Sequence, residues 1–170
     1  MATAAAAQTS WTLVRSTLTY HVVHPLHHVE GVSHAARGRG VCHDGTCVFL
    51  AAAPVNSFRS GDTDRDLHML QVTRGAQFPM ITVRTSVPAA SLRPGNLRAD
   101  VLVSFAGQQK DYTAVAFRIS AGPGGELELQ GTIPATLSDF KIKPPELLMM
   151  PIHNDIPVGV DMTWKPDKQR

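Results

Sequence analysis

Histidine is the residue type in this sequence with the most evident capacity for chemistry. The chain contains eight histidines, and five lie in one short stretch: His21, His24, His27, His28 and His34. Imidazole binds copper, zinc or nickel, and a methionine sulfur would add a soft ligand for copper. However, strand alternation predicts His21 and His24 on opposite faces, and Pro25 breaks the register after them. We therefore expect a polar rim or loop here, with metal binding as the alternative.

Two cysteines, Cys42 and Cys47, flank a tight turn. The Asp44-Gly45 pair between them is a strong hairpin signal. Cysteines that face each other across a tight hairpin can reach disulfide geometry. The spacing predicts a disulfide, and therefore an oxidising compartment such as the periplasm. A metal-binding pair is the alternative, although a structural zinc site would need two further ligands nearby in the sequence.

Motifs of common enzyme classes do not occur in the sequence. It contains no G-x-S-x-G nucleophile elbow, and neither cysteine has an active-site signature around it. It also contains no P-loop and no G-x-G-x-x-G motif that opens a helix after a strand. The Gly-rich piece at residues 122–125 predicts a hairpin turn. We therefore expect a binding protein without catalytic residues, cofactor or resident metal.

Length and charge exclude several kinds of protein. A chain of 170 residues fits one domain, and 43% apolar with 18% charged residues is ordinary for a globular protein. The 16 basic and 14 acidic residues leave a formal charge of +2 and form no basic run, so nucleic-acid binding has no electrostatic basis. No apolar stretch approaches the ~20 residues that span a bilayer. We expect neither a nucleic-acid partner nor a membrane-spanning segment.

Most of the chain alternates apolar and polar residues with a period of two, as strands do when one face is buried. In the first strand, Leu18, Tyr20 and Val22 fall on one face. Further strand-like runs occupy residues 48–53, 80–86, 99–106, 112–119, 127–133 and 156–164. Turn-forming residues separate several of these runs. Many short strands with turns between them predict a sandwich or a barrel.

Two segments interrupt this alternation. Residues 62–74 begin with a good N-cap in Asp62 and are followed by Gly75, which predicts a short helix. Residues 144–151 have prolines at both ends and predict a loop or a single apolar turn. Both segments carry apolar residues that no strand explains, so we expect them to flank the entrance to a cavity. The alternative is that they plug a closed core.

Three blocks of the sequence resemble the YceI-like family. The central block is FRSGDTDRDLHM at residues 58–69, followed by FPMI at residues 78–81. Residues 16–31 are similar to the opening strand of the family, and residues 129–160 to its closing block. The resemblance implies an all-β fold, a closed antiparallel lipocalin-like β-barrel of about eight strands with a short helical cap. It covers most of residues 11–164.

The resemblance also implies a function, because studied relatives hold a polyisoprenoid or related lipid in an elongated apolar cavity. We therefore expect an exported protein, periplasmic or secreted, that binds a polyisoprenoid, an isoprenoid quinone or a fatty chain. One alternative is a filled barrel with a purely structural or partner-binding role. The sequence is also compatible with a homodimer. A second alternative is a periplasmic copper, zinc or redox-active binding protein that uses His24, His27, His28, Cys42 and Cys47.

Strand parity and position beside the predicted helix select the residues expected to contact the ligand. They are Leu18, Tyr20, Val22, His24, Phe58, His68, Met69, Phe78, Phe117, Phe140, Leu147, Met149 and Met162. The resemblance places His24 and His68 at the cavity mouth or beneath the cap. The alternative is that each of the two histidines has a structural hydrogen bond to a neighbouring strand.

The two ends of the chain differ from its middle. The start is small, uncharged and Ala-rich, and it resembles the surroundings of a signal-peptidase site. We expect residues 1–10 to be a disordered remnant, residues 11–165 to be the barrel domain and residues 166–170 to be a polar tail. A cytosolic start with a disordered tip is the alternative.

Overall fold

The computed structural model describes residues 8–147 and 149–168. Within them the strands are β1 (Thr9–His24), β2 (His27–Ser33), β3 (Arg37–His43), β4 (Thr46–Pro54), β5 (Met80–Pro88), β6 (Gly95–Phe105), β7 (Gln108–Ala121), β8 (Leu127–Ile133), β9 (Glu146–Leu147), β10 (Met150–Pro151) and β11 (Val158–Pro166). The helix α1 (Thr63–Val72) lies between β4 and β5. Short 3-10 turns occupy Val55–Ser57, Ala89–Ser91, Pro123–Gly125 and Ser138–Phe140.

Eight strands form a closed antiparallel barrel. Their hydrogen-bonded order is β11-β8-β7-β6-β5-β4-β3-β1, and β1 pairs with β11 to close the sheet. In a closed barrel each strand has a hydrogen-bonded partner on both sides, whereas the two edge strands of an open sheet have a partner on one side only. The closed, all-β, lipocalin-like barrel with one short helix, which the resemblance to the YceI-like family implies, is confirmed.

β1 is the longest strand, and its inward face changes parity once. A bulge interrupts its pairing with β11 between Leu13 and Arg15. The extra residue shifts the inward positions from odd to even numbers, so Leu13 and Ser16 are buried while Val14 is half exposed. After the bulge, the even-numbered residues face the interior, as the sequence alternation predicts.

β2 and β3 lie along the same edge of β1. The sequence alternation predicts neither strand, and only the Asp44-Gly45 turn indicates where β3 ends. β2 pairs with the second half of β1, and β3 with its first four residues. Glycines weaken the alternation here because they accept aromatic rings from adjacent strands. Gly31 lies against the ring of Tyr20, and Gly40 against that of Phe49. The histidine stretch expected in a rim or loop therefore continues as a strand after a two-residue turn.

The barrel has two different ends. The β3–β4 turn, the β7–β8 turn and the start of β1 lie at one end, which we call the disulfide end. The β1–β2 turn, α1 and residues 134–157 lie at the other, which we call the helix end. β1 runs the whole distance between them.

A disulfide joins Cys42 to Cys47 across the β3–β4 turn. The two cysteines are directly opposite each other in the strand pairing. Asp44 and Gly45 in the turn have positive φ angles of 48° and 78°, as an Asp-Gly hairpin turn requires. The disulfide predicted from this spacing is confirmed.

The connection from β8 to β11 crosses the helix end. Part of it is the two-stranded β9–β10 hairpin, where the sequence predicts a loop or a single turn over residues 144–151. Met149 lies in the hairpin turn with φ 62°, and Leu148 lies outside the described residues. The backbone N–H of His153 donates a 2.9 Å hydrogen bond to the carbonyl of Val23, which attaches the connection to β1.

The ordered strands extend slightly beyond the boundaries expected for the barrel domain. β1 begins at Thr9, and the hydroxyl of Ser10 donates a 2.6 Å hydrogen bond to Asp167. The hydroxyl of Thr12 donates a second bond of 2.7 Å to the same carboxylate. Residues 1–7 and 169–170 of the expected tails lie outside the described residues. In the part of the chain that the structure describes, no helix is long and apolar enough to cross a membrane.

Candidate functional site

The barrel encloses a cavity of about 670 Å³. Cavities of roughly 300–1,000 Å³ are typical of small-molecule sites. Its wall is predominantly apolar and comes from inward residues of the barrel strands. These residues include Leu18, Val22, Ala51, Ala53, Val83, Val101, Val103, Phe117, Ile119, Leu129, Ile133, Val160 and Met162.

The cavity is elongated along the barrel. On β1 the apolar part of its lining extends from Trp11 near the disulfide end to Val22 near the helix end. At ~3.3 Å per residue this is about 36 Å of strand, or about 28 Å along the axis if the strand tilts by ~40°. The cavity therefore has the proportions for a long, narrow ligand.

Aromatic rings line the cavity at the disulfide end. The ring centroids of Trp11 and Phe49 are 6.4 Å apart, and those of Phe49 and Trp164 are 5.0 Å apart in an edge-on arrangement. Such tilted contacts are favourable for aromatic pairs. The sequence analysis did not select any of the three residues. Trp11 faces inward from an odd-numbered position because it precedes the bulge in β1, whereas the alternation seen after the bulge would place it outside.

The helix end of the cavity is polar, in contrast to the rest of the wall. Residues around the β1–β2 turn, in and just before α1, and in β9 bring acidic side chains, an arginine and histidine rings to this end. They are His24, His27, Asp62, Asp64, Arg65, His68 and Glu146. The cavity therefore combines a long apolar interior with a polar end, an arrangement that suits an amphipathic molecule.

α1 presents one face to the cavity. Arg65, His68, Met69 and Val72 all line it, and their spacing of three and four residues places them on one side of a helix. Leu67 lies on the other side and is 54% exposed. The helix begins with Asp62 as N-cap, whose carboxylate accepts a 3.0 Å hydrogen bond from the backbone N–H of Arg65.

Ser60 fixes the start of α1 through two charged side chains. Its hydroxyl donates to the carboxylate of Asp66 at 2.6 Å and accepts from the guanidinium of Arg65 at 3.0 Å. Tyr20 lies nearby on β1, with its ring 5.7 Å from that of Phe58. Burial, with a smaller contribution from the negative charge of Asp66, raises the pKa of the Tyr20 phenol. Tyr20 therefore remains a neutral part of the wall.

Ten of the residues selected from the sequence lie together around the cavity. They are Leu18, Tyr20, Val22, His24, Phe58, His68, Met69, Phe117, Phe140 and Met162. Strand alternation accounts for those in β1, β7 and β11, because inward positions of a barrel recur every second residue. His24 is buried, and its Nδ1 accepts a 3.1 Å hydrogen bond from the backbone N–H of Leu26.

The structure does not bring Phe78 and Met149 to the cavity. Phe78 packs against Gly107 in the turn between β6 and β7, and the guanidinium of Arg74 lies 5.9 Å from its ring centroid. Met149 is 93% exposed because it occupies the tip of the β9–β10 hairpin. The side chain of Leu147 lies outside the described part of the structure.

The residues of the alternative metal or redox site do not meet in one place. His24 and His27 line the cavity at the helix end, whereas His28 faces outward from β2. Cys42 is opposite Thr9, at the other end of β1. The separation of 15 residues corresponds to about 50 Å of strand. A site shared by the histidines and the cysteine pair is therefore ruled out by distance.

No protein-family model matches the chain, and no curated protein matches its sequence. Solved structures do match. A polyisoprenoid binding domain from Saccharophagus degradans, described as implicated in plant cell wall breakdown, has a TM-score of 0.71 at 15% identity, over 92% of this chain and 98% of that one. Burkholderia cenocepacia BcnA has a TM-score of 0.72 at 13% identity, over 87% and 95% of the two chains.

A third similar structure is the Campylobacter jejuni YCEI protein. Its TM-score is 0.56 at 17% identity, and the match covers 72% of this chain and 73% of that one. The TM-scores of all three structures show that they share the overall fold of this chain. The chain therefore has the YceI-like fold.

Proposed function

We propose that this protein binds lipid and holds a long apolar molecule, such as a polyisoprenoid, an isoprenoid quinone or a fatty chain, in its barrel. The observation that carries the proposal is the elongated cavity of about 670 Å³ with a predominantly apolar wall. A well-formed apolar cavity with a few polar groups at one end is the usual form of a ligand site. The polyisoprenoid binding domain with the same fold supports the choice of ligand class.

Burial of apolar surface would supply the affinity. At about 25 cal/mol per Å², a ligand chain that buries a few hundred Å² gains several kcal/mol, before the cost of ordering the chain is subtracted. The polar residues at the helix end, such as Arg65 and His68, would lie beside a polar end of the ligand. The ligand would therefore enter at the helix end, with its apolar chain pointing towards Trp164.

We also propose that the protein works outside the cytoplasm, in the periplasm or after secretion. The Cys42–Cys47 disulfide supports this proposal. Disulfides persist in oxidising compartments and are rare in the cytosol. A carrier in that compartment would keep an apolar lipid away from water.

A matched pair of tryptophan variants on β4 tests the lipid proposal. Ala51 is buried and lines the cavity, whereas its neighbour Leu50 faces outward and is 49% exposed. After delipidation, the parent should bind a fluorescent fatty or isoprenoid probe. We expect Ala51→Trp to fill the cavity and weaken binding at least about tenfold, or ~1.4 kcal/mol, while Leu50→Trp retains the parent affinity.

Circular dichroism establishes that both variants are folded. Mass spectrometry of an organic extract of the purified parent should in addition detect a co-purified apolar lipid. The proposal is rejected if the delipidated parent binds no probe, or if a folded Ala51→Trp variant binds it as tightly as the parent.

A further inference from the structure

The outer face of the β1–β2 hairpin carries two histidines and a glutamate side by side. His21 is directly opposite Glu30 in the strand pairing, and Val23 is directly opposite His28. Opposed residues of an antiparallel pair share a face, and residues two apart on one strand do too. His21, His28 and Glu30 therefore lie together on the outside of the barrel, on the face opposite to His24 and the cavity.

The three side chains are close enough to share one ion. His21 Nδ1 is 3.1 Å from a carboxylate oxygen of Glu30, and the rings of His21 and His28 are 5.7 Å apart between centroids. One ligand atom from each residue lies within 4.8 Å of the other two. At Zn–N distances of ~2.0–2.1 Å, tetrahedral ligands are about 3.3 Å apart.

The histidine–glutamate pair thus already has the spacing of two zinc ligands. The ligand atom of His28 has to approach the other two by at most about 1.5 Å to reach the same zinc geometry. A side-chain rotation provides this movement, because His28 is exposed at the surface of β2.

We propose that His21, His28 and Glu30 form a surface site for Zn²⁺. Two imidazoles and one carboxylate are a ligand set that protein zinc sites use, with water in the fourth position. Imidazole ligands also suit Cu²⁺ and Ni²⁺, whereas Mg²⁺ and Ca²⁺ prefer sites made wholly of oxygen ligands. The site is independent of lipid binding, because its side chains point away from the cavity.

The protein contains its own matched control. His43 Nε2 lies 3.1 Å from the carboxylate of Asp44 at the disulfide end, the same separation as in the His21–Glu30 pair. The His21, His28 and Glu30 group is the one cluster of three such ligands within the residues that the structure describes. Among the same described residues, no third ligand of this kind lies close enough to His43 and Asp44 to form such a cluster. A comparison of the two pairs therefore isolates the contribution of His28.

Isothermal titration calorimetry of the full-length protein, prepared without a histidine tag, tests the proposal with ZnCl₂. The parent should bind one Zn²⁺ per chain. His28→Gln, His21→Gln and Glu30→Gln should each weaken that binding at least tenfold, and His43→Gln should leave it unchanged. Mg²⁺ at the same concentration should give no heat of binding. Circular dichroism spectra of the variants should match that of the parent, because all four residues lie at the surface.

Thermal unfolding supplies a second measurement. Zn²⁺ should raise the melting temperature of the parent in a concentration-dependent way, because a ligand that binds only the folded state stabilises it. The rise should disappear in His28→Gln. The proposal fails if the parent binds no Zn²⁺, if His28→Gln binds it as tightly as the parent, or if His43→Gln causes the same loss.

Discussion

A tyrosine–aspartate pair ties the connection at the helix end to the barrel wall. The hydroxyl of Tyr112 on β7 donates a 2.7 Å hydrogen bond to Asp139, and Lys110 lies 3.6 Å from the same carboxylate. Burial raises the pKa of Asp139, but hydrogen bonds from Tyr112 and Thr136 outweigh it and hold the pKa below its usual value. Burial and the hydrogen bond to Asp139 raise the pKa of Tyr112. The pair is therefore a neutral phenol bound to a charged carboxylate across the neutral pH range.

Replacing Tyr112 by Phe should destabilise the protein at pH 7 and much less in acid. A hydrogen bond to a charged group contributes about 1.5–3 kcal/mol, and we expect ~1 kcal/mol here because solvent reaches Asp139. Since the folded-state pKa of Asp139 is lowered, its contribution is complete above the unfolded pKa of about 3.9 and is lost as pH falls through the folded value. Urea unfolding of parent and Tyr112→Phe at pH 7 and pH 3 measures both differences. Equal differences at the two pH values would contradict this assignment.

For single residues, the alternation of apolar and polar residues predicts which side chains face inward from a strand. It does not predict what surrounds a residue in a turn. Leu18 and Met162 follow from parity because they lie in long, regular strands. Phe78 precedes β5 in an irregular segment, where no periodicity applies, and it packs against Gly107. Met149 has an apolar side chain, but its position at a hairpin tip leaves that side chain 93% exposed.

Among the elements, α1 and the β9–β10 hairpin both lie at the helix end, but only α1 has a methionine on the cavity wall. Met69 lines the cavity, whereas Met149 is 93% exposed. Met69→Trp should therefore narrow the entrance and weaken binding of a fluorescent fatty probe by about tenfold, or ~1.4 kcal/mol. Met149→Trp should retain the parent affinity. Probe titration of the two folded variants makes the comparison, and equal affinities would show that α1 does not border the path of the ligand.

Elements with a strong local signal are the ones that sequence predicts best. α1 has an aspartate cap at its start, and it begins within one residue of its predicted position. The alternation within β2 and β3 is weak, because Gly31 and Gly40 occupy positions where apolar residues would reveal the inner face. The pairing of β3 with β1 joins residues that are distant in sequence, such as Cys42 and Thr9. Local patterns carry no information about those contacts.

For the molecule as a whole, the length of the cavity sets the preferred length of its ligand. Each methylene that becomes buried contributes at most ~0.8 kcal/mol, which is roughly fourfold in affinity. Affinity for saturated fatty chains should therefore rise with length and reach a plateau once the chain extends from the helix end to Trp164. Competition against a fluorescent probe with a series of chain lengths measures this. An affinity that does not change with length would be inconsistent with a ligand that occupies the full cavity.

The pairing of β2 has a consequence for the solubility of the barrel. Within the described residues, β2 pairs along one side with β1, and on its other side Val32 exchanges two backbone hydrogen bonds of 2.9 Å with Arg59. By strand alternation, the backbone groups of His28 and Glu30 point to this same outer side. An exposed strand edge is a template on which another polypeptide can add a strand and start aggregation. Arg59 covers one end of this edge, and the polar residues His28 and Glu30 lie along the rest. A short free edge with charged or polar side chains is one of the ways in which native proteins disfavour such growth.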